Sequence, residues 1–395
     1  MKEILDKYAD VLVNFALNNC TGVRPGEVVL LQVPECAKPL LVSLRRAVLK
    51  AGAHPLVQFL PDDFTREFFE LANDAQLDFF PGKYLKGRVE QVDHSVAIVA
   101  ETNKHELDGI PPEKLMRRQK ALKPYLDWRD EKETAGNYTW TLGIYGTEAM
   151  AREVGLSLDA YWEQIIQACY LDEDDPVKKW RELTKEIERV KHALDELRIE
   201  KLHVEAPDTD LWVQLGPKRK WLGGSGRNIP SFEVFISPDW RGTEGHIQFT
   251  EPLYAYGQRI ERVFLRFEKG LVVEARAEKG EAMLKEMLKA ENANKVGEFS
   301  LTDARLSRIT KFMGETLYDE NVGGPQGNTH LAVGKAYKDS YAGDPAQLTD
   351  EDWAAMGFNE SVVHTDIVAT SPRTVTAILP DGSEQVIYAN GRFTV

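Results

Sequence analysis

Apolar side chains in the first half of the chain switch repeatedly between two spacings. Ile4, Leu5, Tyr8, Val11, Leu12 and Phe15 recur every three or four positions, which predicts an amphipathic helix over residues 3–18. Arg24-Pro25-Gly26-Glu27 is turn chemistry and leads into the unbroken run Val28-Val29-Leu30-Leu31, the pattern of a strand covered on both faces. A helix over 38–51 stops at Gly52, extended structure follows at 54–59, and helical spacing returns over 64–79. A second buried strand is predicted at 95–100, then a helix at 112–130 and an extended segment from Trp140 to Tyr145. Continuous apolar strands separated by helices predict an α/β domain with a mainly parallel sheet over residues 1–195.

A long helix is predicted next. Asp174-Asp175-Pro176 supplies a capping carboxylate and a first-turn proline, and Val177, Trp180, Leu183, Ile187, Val190, Leu194 and Leu197 form one apolar stripe behind it. The acids from Asp172 to Asp175 therefore read as helix capping and solvated charge rather than a metal site. Beyond residue 200 the texture changes to closely spaced strands at 202–206, 211–215, 233–237, 246–250, 259–267 and 271–277, with Glu268-Lys269-Gly270 as a hairpin turn. A helix at 280–292 and further strands at 362–370, 374–379 and 384–388 complete a β-rich α+β domain over residues 196–395.

Composition narrows what such a protein does. A length of 395 residues fits two cores better than one. The formal net charge of −14, with acids spread along the chain, argues against a nucleic-acid or anionic-membrane partner. No segment approaches the ~20 apolar residues that span a bilayer. The first seven residues, Met1-Lys2-Glu3-Ile4-Leu5-Asp6-Lys7, lack the apolar centre of a signal peptide. Cys20, Cys36 and Cys169 stand far apart, so neither a disulfide framework nor a thiolate zinc site is expected, and a cytoplasmic location fits. There is no H-E-x-x-H, no P-loop and no dinucleotide fingerprint, and Gly223-Gly224-Ser225-Gly226 reads as a flexible turn rather than a nucleophile elbow.

The chemistry concentrates near the C-terminus. In Val362-Val363-His364-Thr365-Asp366-Ile367-Val368 an imidazole and a carboxylate stand two residues apart in a β-branched run. Alternate strand residues share a face, so His364 and Asp366 point the same way, either gripping a metal ion or satisfying one another in a core. His330, Glu233 and Glu298 each sit against apolar neighbours, where an acid is costly to bury unpaired. Singly, each reads as structural. Together, two imidazoles and several carboxylates are the ligand mix of hydrolytic zinc, cobalt or manganese sites, often with two ions roughly 3.5–4 Å apart.

These residues resemble one metallopeptidase family. Glu233, Glu298, Asp319-Glu320-Asn321, Thr329 to Tyr337 and Val363-His364-Thr365-Asp366 are similar in order and spacing to the motifs of the thermophilic-type metalloaminopeptidases, the aminopeptidase T and aminopeptidase S group. The N-terminal half agrees at Pro25 to Leu30 and at Leu49 to His54. The resemblance implies an aminopeptidase acting on peptides with a free N-terminus, through a hydroxide bridging two divalent ions. It implies metal ligands at Glu233, Glu298, Glu320, His330, His364 and Asp366, and catalytic help from Tyr337, with Glu298 the candidate proton shuttle. It also implies a homodimer whose α/β domains help enclose the active sites. Gly323-Gly324-Pro325-Gln326-Gly327-Asn328 lengthens the family's spacer before His330, which makes Glu320 the ligand most affected, and Phe232 either narrows the substrate pocket or packs. A metal-dependent amidase or carboxypeptidase, or a silent binding protein on the same fold, are the rival readings.

Overall fold

The computed structural model describes residues 1–255 and 258–395. They form two compact units, Met1–Thr184 with Ser225–Ser231, and Lys185–Gly224 with Phe232–Val395. The long helix Pro176–Glu196 crosses from one to the other. Its start is capped as expected: Asp175 Oδ1 accepts the backbone N–H of Lys178 at 2.9 Å. Its apolar stripe is buried from Val177 through Leu194.

The first unit is the α/β domain. Strands β1 (Val28–Pro34), β2 (His54–Leu60), β3 (His94–Val99) and β4 (Thr139–Ile144) form a sheet in the order β2-β1-β3-β4 with every pair parallel. The N-terminal helix is not uniform: Lys2–Val11 is α-helical, Leu12–Ala16 widens by a residue per turn, and Asn18 and Asn19 turn left-handed at φ 54° and 52°. Asparagine tolerates that region better than most side chains, so the helical repeat ends there. The helix predicted over 64–79 is two helices, Thr65–Leu71 and Asp74–Leu77, because Asn73 and Gln76 form a capping box that starts a new one. Helices Gly82–Gln91 and Leu158–Ala168 were not evident from the spacing. No helix of the described residues is long and apolar enough to cross a membrane.

The second unit is β-rich. Its strands are β5 (Lys201–Ala206), β6 (Thr209–Gln214), β7 (Glu233–Ile236), β8 (Glu244–Gln248), β9 (Leu253–Ala255), β10 (Gln258–Ile260), β11 (Phe264–Glu268), β12 (Leu271–Arg276), β13 (Val296–Thr302), β14 (Asn328–Gly334), β15 (His364–Ala369), β16 (Thr374–Ile378), β17 (Glu384–Ala389) and β18 (Arg392–Phe393). An antiparallel eight-stranded sheet runs β12-β11-β8-β6-β5-β16-β17-β18. A second antiparallel sheet runs β15-β14-β13-β7, and it carries the chemistry. The predicted strand 259–267 is β10 plus β11, and β13 was missed altogether.

All seven residues of β13 and of β14 are buried, so both faces of this small sheet are covered. One face is apolar: Val234, Ile236, Phe299, Leu301, Leu331, Val333 and Ile367 are each almost inaccessible. Burying each such side chain contributes about 1.5–3 kcal/mol. That anchorage fixes the register, and the register decides what the other face presents.

Candidate metal centre

Strand pairing collects the predicted residues on one face. Glu298 lies opposite Ala332, which lies opposite Asp366, while Ser300 pairs with His330 and with Phe235. Thr302 pairs with Glu233, and Gly334 with His364. Residues opposite one another share a face and alternate ones return to it. Glu233, Glu298, His330, His364 and Asp366 therefore project from four different strands to the same side.

A bulge makes this possible. The register shifts between Val296 and Glu298, so Val296 pairs with Val333 and Glu298 with Ala332, leaving Gly297 as the extra residue. Without it Val296 and Glu298 would share a face. With it the valine enters the core and the carboxylate enters the site. A Cβ at Gly297 would lie 2.2 Å from the Lys335 carbonyl oxygen and 2.6 Å from that of Gly334. Gly297→Ala is expected to cost about 1–3 kcal/mol through overpacking and to displace Glu298. Thermal melts with metal titration check this; an unchanged melting temperature and affinity would remove the bulge from the account.

The side chains converge closely. His330 Nε2 lies 3.0 Å from Glu298 Oε1, 3.4 Å from Glu233 Oε2 and 4.0 Å from Asp366 Oδ1. His364 Nε2 lies 3.7 Å from Glu298 Oε2 and 3.5 Å from Asp366 Oδ1. Two groups result, each with ligand atoms within 4.8 Å of one another: Glu233, Glu298 and His330, and Glu298, His364 and Asp366. Glu298 belongs to both.

Backbone carbonyls orient both rings. His330 Nδ1–H donates to the Glu320 carbonyl at 3.2 Å, and His364 Nδ1–H to the Lys335 carbonyl at 2.8 Å. Each Nε2 is thereby turned toward the carboxylates, the arrangement that fixes metal-binding imidazoles. Burial opposes protonation of both rings, but the surrounding carboxylates prevail and raise His330 and His364 to about 9. Burial also pushes against ionisation of Asp366, yet the adjacent His364 and His330 imidazoles hold its carboxyl below the ordinary value. Protons thus occupy positions where a cation would stand, and binding a metal must expel them.

Glu320 stands apart. Neither group includes its carboxylate, and what it gives the centre is the carbonyl that orients His330. The lengthened loop before His330 is tied back by Asn328, whose Nδ2 donates to the Glu320 and Val322 carbonyls at 2.9 and 2.7 Å. Tyr337 is at the rim: its ring meets His364 edge-on at 4.8 Å and Phe235 at 5.8 Å, and its backbone N–H donates to Ser237 Oγ at 2.8 Å. Phe232 is fully buried with its N–H on Asn321 Oδ1, so it packs. Ser237 and the Lys335 carbonyl were missed, since a lone serine and a main-chain oxygen leave no mark in a sequence.

Comparison with known proteins accords with this geometry. Residues 1–393 match the family described as thermophilic metalloprotease (M29). The chain belongs to the M29 family. Aminopeptidase PepS of Streptococcus thermophilus is 30% identical, with 100% of this chain and 98% of that protein aligned. Aminopeptidase T of Thermus thermophilus is also 30% identical, over 100% of this chain and 99% of its own. The solved structure of wild-type AmpT from Thermus thermophilus superimposes with a TM-score of 0.85 at 28% identity, covering all of both chains. These whole-length relatives place the chain among the metalloaminopeptidases of M29, which are hydrolases.

An M29 protein implies a divalent metal, and the residues present fit one. Asp366 Oδ1 is buried and has no well-aligned hydrogen-bond partner, with the His364 and His330 Nε2 atoms 3.5 and 4.0 Å away. Oxygen and imidazole nitrogen donors, with no thiolate, suit zinc, cobalt or manganese.

Proposed function

We propose that this aminopeptidase works with two divalent ions, zinc, cobalt or manganese, one in each of the two residue groups. Glu233, Glu298 and His330 would hold the first, and Glu298, His364 and Asp366 the second. The observation that carries this reading is Glu298, whose two oxygens face different imidazoles. Charge supports it as well. Three carboxylates around two neutral imidazoles leave two dications with one positive charge, which a hydroxide cancels.

Two bound ions would supply Lewis-acid polarisation of the scissile carbonyl and a water acidic enough to attack near neutral pH. The chain's own groups do the rest. Tyr337, held by Ser237 and edge-on to His364, is assigned to donate its phenolic hydrogen to the developing oxyanion. Glu320 acts as a positioning residue through its carbonyl. The relatives' names support a substrate with a free N-terminus.

Chelation followed by restoring each metal in turn tests the reading. Hydrolysis of an aminoacyl chromogenic amide should vanish with chelator and return with at least one of the three ions. An N-acetylated amide should remain uncleaved, whereas equal cleavage of blocked and free substrates would shift the assignment to a general amidase.

The homodimer is part of the same proposal. β2 is an edge strand, and Leu56, Val57, Phe59 and Leu60 on it are exposed, as are nearby Phe64 and Leu71. An unpaired apolar edge of this size is ordinarily covered, and a second copy pairing about a two-fold axis covers it. Val57→Lys is expected to turn a dimer into a monomer in light scattering. Monomeric wild-type protein at micromolar concentration would end this part.

A further inference from the structure

The phenol assigned to the oxyanion sits on a connection and not on a strand. β14 ends at Gly334, and the chain leaves it through Tyr337 into the short turn Lys338–Ser340. A loop holds a side chain less closely than a sheet does unless its backbone is tied down. Here the tie is a pair of serines. Ser237 directly follows β7, four residues on from Glu233, and its Oγ accepts the Tyr337 backbone N–H at 2.8 Å. Its own N–H donates to Ser340 Oγ at 3.1 Å, and the Ser340 N–H donates to the Tyr337 carbonyl at 3.1 Å. Ser237 therefore grips both ends of the turn that begins at Tyr337.

The ground beneath Ser237 is fixed as well. Ser340 Oγ–H donates to the Lys220 carbonyl at 2.9 Å. Arg219 Nε–H donates to the Ser237 carbonyl at 2.7 Å. The same guanidinium reaches the Met356 carbonyl at 2.9 Å and lies 3.6 Å from the centroid of the Phe358 ring. Neither serine has any exposed surface, so water cannot take over for either hydroxyl. Packing alone asks for no hydroxyl at residue 237, because alanine fills nearly the same space. What the hydroxyl adds is a fixed distance between the strand that carries Glu233 and the backbone that carries the phenol.

We propose that Ser237 is a positioning residue for Tyr337, its hydroxyl holding the tyrosine backbone to the end of β7 and so setting where the phenol meets the oxyanion. The inference rests on the assignment of Tyr337 to that oxyanion. A displacement of ~1 Å at such a donor costs up to about a hundredfold in rate, which sets the scale of the effect.

A double-mutant cycle tests it in the metal-loaded full chain. Ser237→Ala should lower kcat about tenfold or more, with KM and metal content close to wild type. In a Tyr337→Phe background the same substitution should change kcat by less than about twofold, because no phenol remains to be placed. Ser237→Cys keeps the volume and offers only a weak acceptor, so it should repeat the pattern if the alanine variant folds poorly. A wild-type kcat in both Ser237 variants would overturn the proposal. So would an equal loss in the two backgrounds, the mark of a general disturbance, or a loss of metal, which would put the effect at the ligands. A Tyr337→Phe enzyme as fast as wild type is a separate failure: it removes the oxyanion assignment itself and leaves Ser237 nothing to position.

Discussion

Glu298→Gln is expected to lower kcat/KM for an aminoacyl chromogenic amide by about a thousandfold or more, because it disables the one carboxylate common to both ligand groups. Glutamine matches glutamate in shape, so the buried strand β13 keeps its packing. It carries no charge and cannot offer two anionic oxygens to two cations. Metal analysis should therefore find fewer than two ions per chain under conditions that saturate the wild type. Glu320→Gln is the matched comparison: the Glu320 carbonyl that orients His330 is main chain and survives the change, so metal content should hold. Full metal content and activity in Glu298→Gln would separate the carboxylate from the centre. Loss of both ions in Glu320→Gln would instead restore that side chain as a ligand.

Tyr337→Phe is expected to reduce kcat by about a hundredfold to a thousandfold, the usual effect of deleting one oxyanion donor. KM and metal content should scarcely change, because the phenol is assigned to the transition state and not to ground-state binding. The ring contacts with His364 and Phe235 involve carbon edges and faces, which phenylalanine reproduces. A merely structural tyrosine would respond differently, with a lower melting temperature and an unaltered kcat. A kcat within a factor of about three of wild type would leave Tyr337 without a chemical role.

The parallel sheet was legible because β1 and β3 are runs of apolar residues flanked by turns, a pattern that needs no tertiary knowledge. The sheet that carries the candidate metal centre was harder. In β13, Glu298 and Ser300 interrupt the apolar sequence, and the interruption is itself the functional face. A strand buried on both sides by unlike partners shows neither clean alternation nor a continuous run. The residues proposed as ligands stood out by their types and order, and by a family resemblance. Their grouping was not, since it depends on Gly297 as a bulge and on a register across β7, β13, β14 and β15. The orienting carbonyls of Glu320 and Lys335 belong to the main chain and have no residue signature.

The five side chains reach the centre from a hydrogen-bonded sheet whose opposite face is pinned by apolar packing. A substitution in that packing that slips one strand by a single residue would turn its share of the centre away from the rest without altering any of the five side chains.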